Sequence, residues 1–165
     1  MIKLLGALLL IMAGSLSGYK ESHKLSVRVD SLELFLRFLS AAKTEIRYSA
    51  VPVVQVIKRH SAGFQFLEEC ANNCEQGGSF ADAWRYTVIH YAKNDGFAAN
   101  DIKLLLSFGE GFGASDTDGQ IAHLQLYSEL FATSLKSARD ERNRKSKLYL
   151  MLGIFAGLSS ALLLC

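Results

Sequence analysis

Hydrophobic positions along the chain follow two regimes. At both ends they run without interruption. Leu4 to Tyr19 reads LLGALLLIMAGSLSGY and Leu148 to Cys165 reads LYLMLGIFAGLSSALLLC, and neither stretch carries a charge. A membrane-spanning helix needs roughly 20 mostly apolar residues, with a lower limit near 17. The second run meets that limit. The first meets it once Met1 to Lys3 are included, with Lys3 snorkelling to the interface. Between the ends the pattern turns periodic. From Leu25 to Tyr48 the apolar positions are Leu25, Val29, Leu32, Leu36, Leu39, Ala42 and Ile46, the three-and-four spacing of one helix face. No Gly or Pro lies between Tyr19 and Val51, so this helix continues straight from the first apolar run.

Punctuation residues divide the rest. Pro52 suits the first turn of a helix and its ring restricts Val51; a short helix to about His60 follows. Gly63 opens FQFLEECANNCEQ, and Gly77-Gly78 ends it as a C-cap. Ser79 with Asp82 resembles a capping box, with Asp in place of the usual Glu or Gln. Phe80, Ala83, Trp84, Val88 and Tyr91 then form a helical stripe. Asn94-Asp95-Gly96 is a turn, and a further helix spans about Ala99 to Phe108. The glycine-rich GEGFGASDTDG is read as a loop. Within it Ser115 with Asp118 again resembles a capping box, and Asp116 suits the positive end of a helix dipole. The longest helix starts here. Ile121, Leu124, Ser128, Phe131, Leu135 and Ala138 follow the spacing of a coiled-coil seam, and no Pro or Gly interrupts the chain from Gln120 to Leu152. The fold class expected is all-α, an antiparallel helical bundle with a membrane-spanning helix at each end: a span at 1–19, a cytosolic bundle at 20–147 and a span at 148–165.

Charge fixes the expected topology. The stretch RDERNRKSK from Arg139 to Lys147 has five basic and two acidic residues, and Lys20 to Arg28 has three basic and one acidic. Basic flanks stay on the cytoplasmic side, which puts the central portion in the cytosol and both termini outside. A cleaved signal peptide is the alternative for the first run. The whole chain of 165 residues has a net charge of only +2, so no global field argues for nucleic acid. Each apolar run also holds a G-x3-G element, Gly14 with Gly18 and Gly153 with Gly157. Small residues four apart let helices approach closely in lipid. In the hairpin topology the two glycine faces match in depth, and they are expected to pack against each other within one chain, a homodimer being the rival arrangement.

Several stretches, in this order, resemble the stage III sporulation protein AB family: LSAAKTEIRYSAVPVVQVI, GGSFADAW, LLSFGEGFGASDTDGQIAHLQLYSEL and KSKLYLMLGIFAGLSSALLL. The most specific pieces are E-I-x-Y-x3-P (Glu45, Ile46, Tyr48, Pro52), G-x-S-D-x3-Q (Gly113, Ser115, Asp116, Gln120) and K-L-Y from Lys147. The resemblance implies a role without a reaction. Proteins of this family belong to the mother-cell machinery that joins mother cell to forespore in endospore-forming bacteria, a specialised secretion-like channel. This chain would be a platform in the mother-cell membrane facing the forespore, similar in layout to the inner-membrane platform protein of type II secretion and type IV pilus systems. Its expected partners are other proteins of the channel complex, above all a cytosolic ATPase, together with membrane lipid and a second copy of itself.

Candidate chemistry is weak by comparison. His23, His60, His90 and His123 are scattered without a metal-ligand spacing. His123, beside the long seam, reads as a packed or interface residue. Cys70 and Cys74 share a helix face and lack the further ligands a metal site requires. Gly109 to Gly113 lacks a phosphate-loop pattern and has no lysine nearby. Neither cofactor nor metal nor catalytic residue is expected. A generic oligomerising membrane protein is one alternative, and a tethered enzyme using Asp116, His123 and the glycine loop is another.

Overall fold

The computed structural model describes the backbone of residues 2–49 and 51–164; most side chains of 2–21 and 146–164 lie outside the described residues. Six α-helices are present among the described residues and no strand: α1 (Ile2–Ser49), α2 (Val53–His60), α3 (Gln65–Glu75), α4 (Phe80–Tyr91), α5 (Ala99–Gly111) and α6 (Thr117–Leu164). The all-α expectation therefore holds. The terminal spans do not find the same support. Among the described residues no helix is long and apolar enough to cross a membrane, and the expected spans fall largely on side chains outside that set.

The chain divides into two units, one formed by residues 1–29 and 136–165 and the other by 30–135. In the first, Val29 of α1 and Ala138 of α6 are buried. Arg28 Nη1 pairs with Glu141 Oε2 at 3.1 Å, and Lys145 Nζ donates to Glu141 Oε1 at 2.6 Å. The Lys145 hydrogen bond, helped by the charges of Lys145, Arg28 and Arg144, holds the Glu141 carboxyl below its ordinary value.

The second unit is organised around Phe35. Its ring meets those of Phe38, Phe64, Phe66, Phe97, Phe108 and Phe131, with centroid separations of 4.7 to 6.2 Å. These rings come from α1, α3 and the residue before it, the turn before α5, α5 and α6, so one buried side chain touches most of the unit. Aromatic pairs at such separations add about 0.5–1.5 kcal/mol each beyond area burial. Phe35 lies opposite Phe131, and Lys43 Nζ donates to Gln125 Oε1 at 3.1 Å. As α1 ascends from 35 to 43 its neighbours on α6 descend from 131 to 125, so within this unit the two helices run antiparallel.

The expected face of α1 needs one adjustment. Val29, Leu32, Leu39, Ala42 and Ile46 are buried, but Leu25 and Leu36 are only half-buried while Phe35 and Phe38 are fully sequestered. The buried face is wider than a two-position seam because α1 meets several helices here, which requires a broad apolar stripe. On α6, Leu124, Phe131, Leu135 and Ala138 are buried as the spacing predicts.

Helix ends are satisfied partly by distant groups. α3 closes at Gly77-Gly78 as expected, with Gly78 N–H on Asn73 C=O (3.1 Å) and Gly77 N–H on Cys74 C=O (3.1 Å), the paired bonds of a Schellman ending. Its other end begins after Phe64, which has no capping side chain. Asp95 supplies the cap from the turn before α5: its Oδ1 and Oδ2 accept from Gln65 N–H (3.2 Å) and Phe66 N–H (3.0 Å). The Asp95 carbonyl in turn accepts from Ser31 Oγ at 2.6 Å. At α4, Ser79 is the N-cap residue, but its hydroxyl makes no cap hydrogen bond, so the expected box with Asp82 is not formed. Helix α5 runs to Gly111, three residues beyond the expected end. Buried Asp101 in its first turn accepts from Ala98 N–H at 3.0 Å and from Ser134 Oγ of α6.

Phe35→Ala and Phe131→Ala should each destabilise the protein by about 3–5 kcal/mol, the usual range for emptying a buried phenylalanine site. Because the two rings touch, the double variant should lose less than the sum. Urea denaturation of the full chain in detergent, followed by Trp84 fluorescence, measures all three. Unchanged midpoints would show that the unit is held together elsewhere.

Candidate functional site

The turn between α5 and α6 is shorter than the glycine-rich loop expected, residues 112–116 with Gly113 its one glycine, and it is tightly bonded. α5 ends with Phe112 N–H on Phe108 C=O at 3.1 Å. Gly113 follows with φ +88°. That region is costly for a side chain with a Cβ, and a Cβ at Gly113 would also come within 3.4 Å of Val53 Cγ2. The turn is held from the far side by Gln120 of α6, which is 4% exposed. Its Oε1 accepts from Gly113 N–H at 2.8 Å, and its Nε2 donates to Gly111 C=O (3.3 Å) and to Ser115 Oγ (2.9 Å). One amide thus bonds three groups of the turn. A buried amide suits this task because it carries donors and an acceptor on one planar group.

The capping arrangement differs from the one expected. Asp116 is the cap of α6, its Oδ1 accepting from Gly119 N–H at 2.9 Å. Ser115 instead faces Gln120. The reason is register: α6 begins at Thr117, which places Asp116 at the N-cap and Gly119 at N3, the spacing a capping carboxylate reaches.

Beside this turn lies a cavity of about 400 Å³, bordered by Ile46, Pro52 and Val53 on one side and by Phe80, Phe112 and Gly113 on the other, with Ser115 and Gln120 at its polar edge. Pro52 fixes the near wall by starting α2, its carbonyl accepting from Gln55 N–H (2.9 Å) and Val56 N–H (3.2 Å). Two motif stretches far apart in sequence therefore meet at one place, through Pro52 from the first and Gly113, Ser115 and Gln120 from the second. Ile46 of the first stretch also borders the cavity, whereas Tyr48, Glu45 and Lys147 sit apart from its lining. Tyr48 is 79% exposed at the end of α1. Glu45 accepts from His60 Nε2 at 3.0 Å and pairs with Arg59 Nη1 at 3.4 Å, tying α1 to α2. Lys147 is exposed and belongs to the other unit. The expected packing of Gly14 and Gly18 on Gly153 and Gly157 lies outside the described residues.

The chemistry available at the cavity is apolar contact with a hydrogen-bonding edge. None of its lining residues is ionisable. Among the described residues no cluster of three His, Cys, Asp or Glu side chains is placed to hold a metal ion. His123 is packed: its Nε2 lies 2.9 Å from Phe108 C=O, and its ring stacks on Phe108 and contacts Tyr127. Burial pushes the Cys70 thiol up to about 12, with Cys74 adding to the rise, and burial raises Cys74 as well. Thiols so placed are poor nucleophiles. The role of Gln120 as the clasp of the turn was the feature the spacing of residues missed. Its signal was a Gln at i+7 from a glycine, which only the folded turn explains.

Fold and site together define an all-helical protein whose best-built feature is a clasped turn beside an apolar cavity. It belongs to the stage III sporulation protein AB family, whose model matches residues 3–165. Stage III sporulation protein AB of Bacillus subtilis (strain 168) is 24% identical over 176 residues, and the match covers 99% of each chain. No solved structure matches this chain. Family membership gives the protein a role in sporulation.

Gln120→Leu removes the clasp and leaves the Gly113 N–H without its partner, while Gly111 C=O keeps only Ala114 N–H at 3.3 Å. An orphaned group of this kind costs about 1–3 kcal/mol where water cannot replace the bond. Gln120→Leu should therefore lower the melting temperature more than Ser115→Ala, which removes one edge contact. Differential scanning of the two variants decides it, and equal effects would mean that the amide bonds to the turn contribute nothing.

Proposed function

We propose that this protein is a non-enzymatic, membrane-anchored platform of the mother cell–forespore channel apparatus, and that its helical unit docks the cytosolic ATPase of that apparatus. The observation that carries the reading is the convergence of Pro52, Gly113, Ser115 and Gln120 on one cavity. A partner side chain entering there would displace water from apolar walls and meet a polar edge that fixes its orientation, the usual design of a recognition pocket. Membrane anchoring rests on the charge-free runs at 4–19 and 148–165 and on the apolar side chains left exposed there. Leu148, Met151, Leu152 and Phe155 are all exposed, more apolar surface than a helix end leaves in water without a purpose. The basic stretches at 20–28 and 139–147 set residues 20–147 in the cytosol under the positive-inside rule and give anionic headgroups a counter-charge. The location is then the mother-cell membrane facing the forespore.

Pull-down from sporulating cells tests the docking. Val54 is half-buried at the cavity wall, so Val54→Arg should place a charge in the docking site without emptying the core. The unaltered chain should retain the ATPase, while Val54→Arg should lose it and abolish spores at an unchanged melting temperature. Equal recovery of the ATPase by both chains would contradict docking at this cavity.

A further inference from the structure

A second cavity, of about 270 Å³, lies where α1 meets the end of α2. Its floor is apolar: Leu34, Phe38 and Ala41 lie at three- and four-residue steps on one face of α1, and Phe64 closes it from below. Phe38 and Phe64 are themselves buried. The turn after α2 lies close against this floor because position 63 is glycine. Gly63 has φ +96°, and a Cβ there would stand 2.7 Å from Leu34 Cδ2. The walls are basic. Arg37 comes from α1, and Arg59 and His60 from the last turn of α2. Glu45, just outside, takes up Arg59 and His60. Arg37 is exposed and has no ion-pair or hydrogen-bond partner among the described residues.

We infer that this cavity is a docking site for an acidic, apolar segment of a partner protein, which seats a leucine- or phenylalanine-sized side chain on the Leu34–Phe38–Phe64 floor and pairs a neighbouring carboxylate with Arg37. Three observations select that occupant. The volume suits one large side chain and is small for a cofactor, whose sites run to about 300–1,000 Å³. No acidic side chain lines the cavity, whereas its walls hold two guanidinium groups and an imidazole. Arginine presents a planar fork that matches a carboxylate in two parallel hydrogen bonds, and Glu45 already holds Arg59 and leaves Arg37 as the open fork. Glu45 also positions Arg59 and His60 at the rim, so the cation wall is set before a partner arrives. The inference does not depend on the platform reading, since it concerns a different cavity and a chemistry that can be measured on the purified chain.

The test is fluorescence anisotropy with the full chain in detergent and a short labelled peptide, Leu-Phe flanked by two glutamates on each side. Two control peptides carry glutamine or lysine at the four flanking positions. Saturable binding of the glutamate peptide is expected, at least tenfold tighter than either control and weakening as salt rises, because exposed ion pairs are screened. Arg37→Glu should reduce binding at least tenfold. Arg85→Glu, an equal charge change at the exposed pair with Glu110, should leave it unchanged, and both variants should show the melting temperature of the parent chain. Equal binding of the glutamine peptide would reduce the site to apolar contact and overturn the pairing. Equal loss in Arg85→Glu would trace binding to net charge, and binding untouched by Arg37→Glu, or no binding at all, would place the acidic partner elsewhere or nowhere.

Discussion

Burial of Phe35 at the meeting point of five chain segments is the constraint on which the rest of the second unit depends. Helices α2 to α5 are short, between 8 and 13 residues, and isolated helices of such length are marginal in water. They are held by a shared apolar centre. The rings of Phe64, Phe66, Phe97 and Phe108 converge on Phe35 from three places in the sequence. Removing that ring withdraws a shared contact from α3, α5 and the turn before α5 at once.

The cavity at Gly113 is a consequence of this centre. Phe108 touches Phe35 on one side and Phe112 on the other, with centroids 6.0 and 4.7 Å away. Phe112 then meets Phe80 at the start of α4. A line of rings thus runs from the core to the cavity wall. Polar groups finish the arrangement. The Gln120 amide clasps the turn, and Trp84 Nε1 donates to Leu105 C=O at 2.8 Å, fixing α4 on α5. Among the described residues no buried side-chain nitrogen or oxygen lacks a hydrogen-bond partner, so the interior polar groups help to hold the fold.

Much of this was legible before any coordinates. The three-and-four spacing of α6, the stops at Pro52 and Gly77-Gly78, and the need for glycine at position 113 all follow from local chemistry, and local chemistry is what a sequence states most directly. What stayed hidden were relations between distant segments. Nothing near α3 announces that Asp95 caps it from 29 and 30 positions away. Phe35 falls off the two-position seam read for α1 because the number of helices meeting that face is a tertiary fact. The capping boxes at Ser79 and Ser115 did not form either: the Ser79 hydroxyl makes no cap hydrogen bond, and at Ser115 the buried Gln120 engages the hydroxyl while Asp116 takes the cap. Family membership was legible because it rests on the order of several stretches, and a match over residues 3–165 confirms that order.

Hydrogen–deuterium exchange of the full chain in detergent, alone and with the channel ATPase added, measures the proposed docking most directly. Segments 51–55 and 112–119 enclose the cavity from two places in the sequence, so a partner seated there must slow exchange in both together. The account predicts joint protection of these segments, with α3 unchanged. Protection confined to other surfaces, or no change anywhere at saturating ATPase, would contradict it.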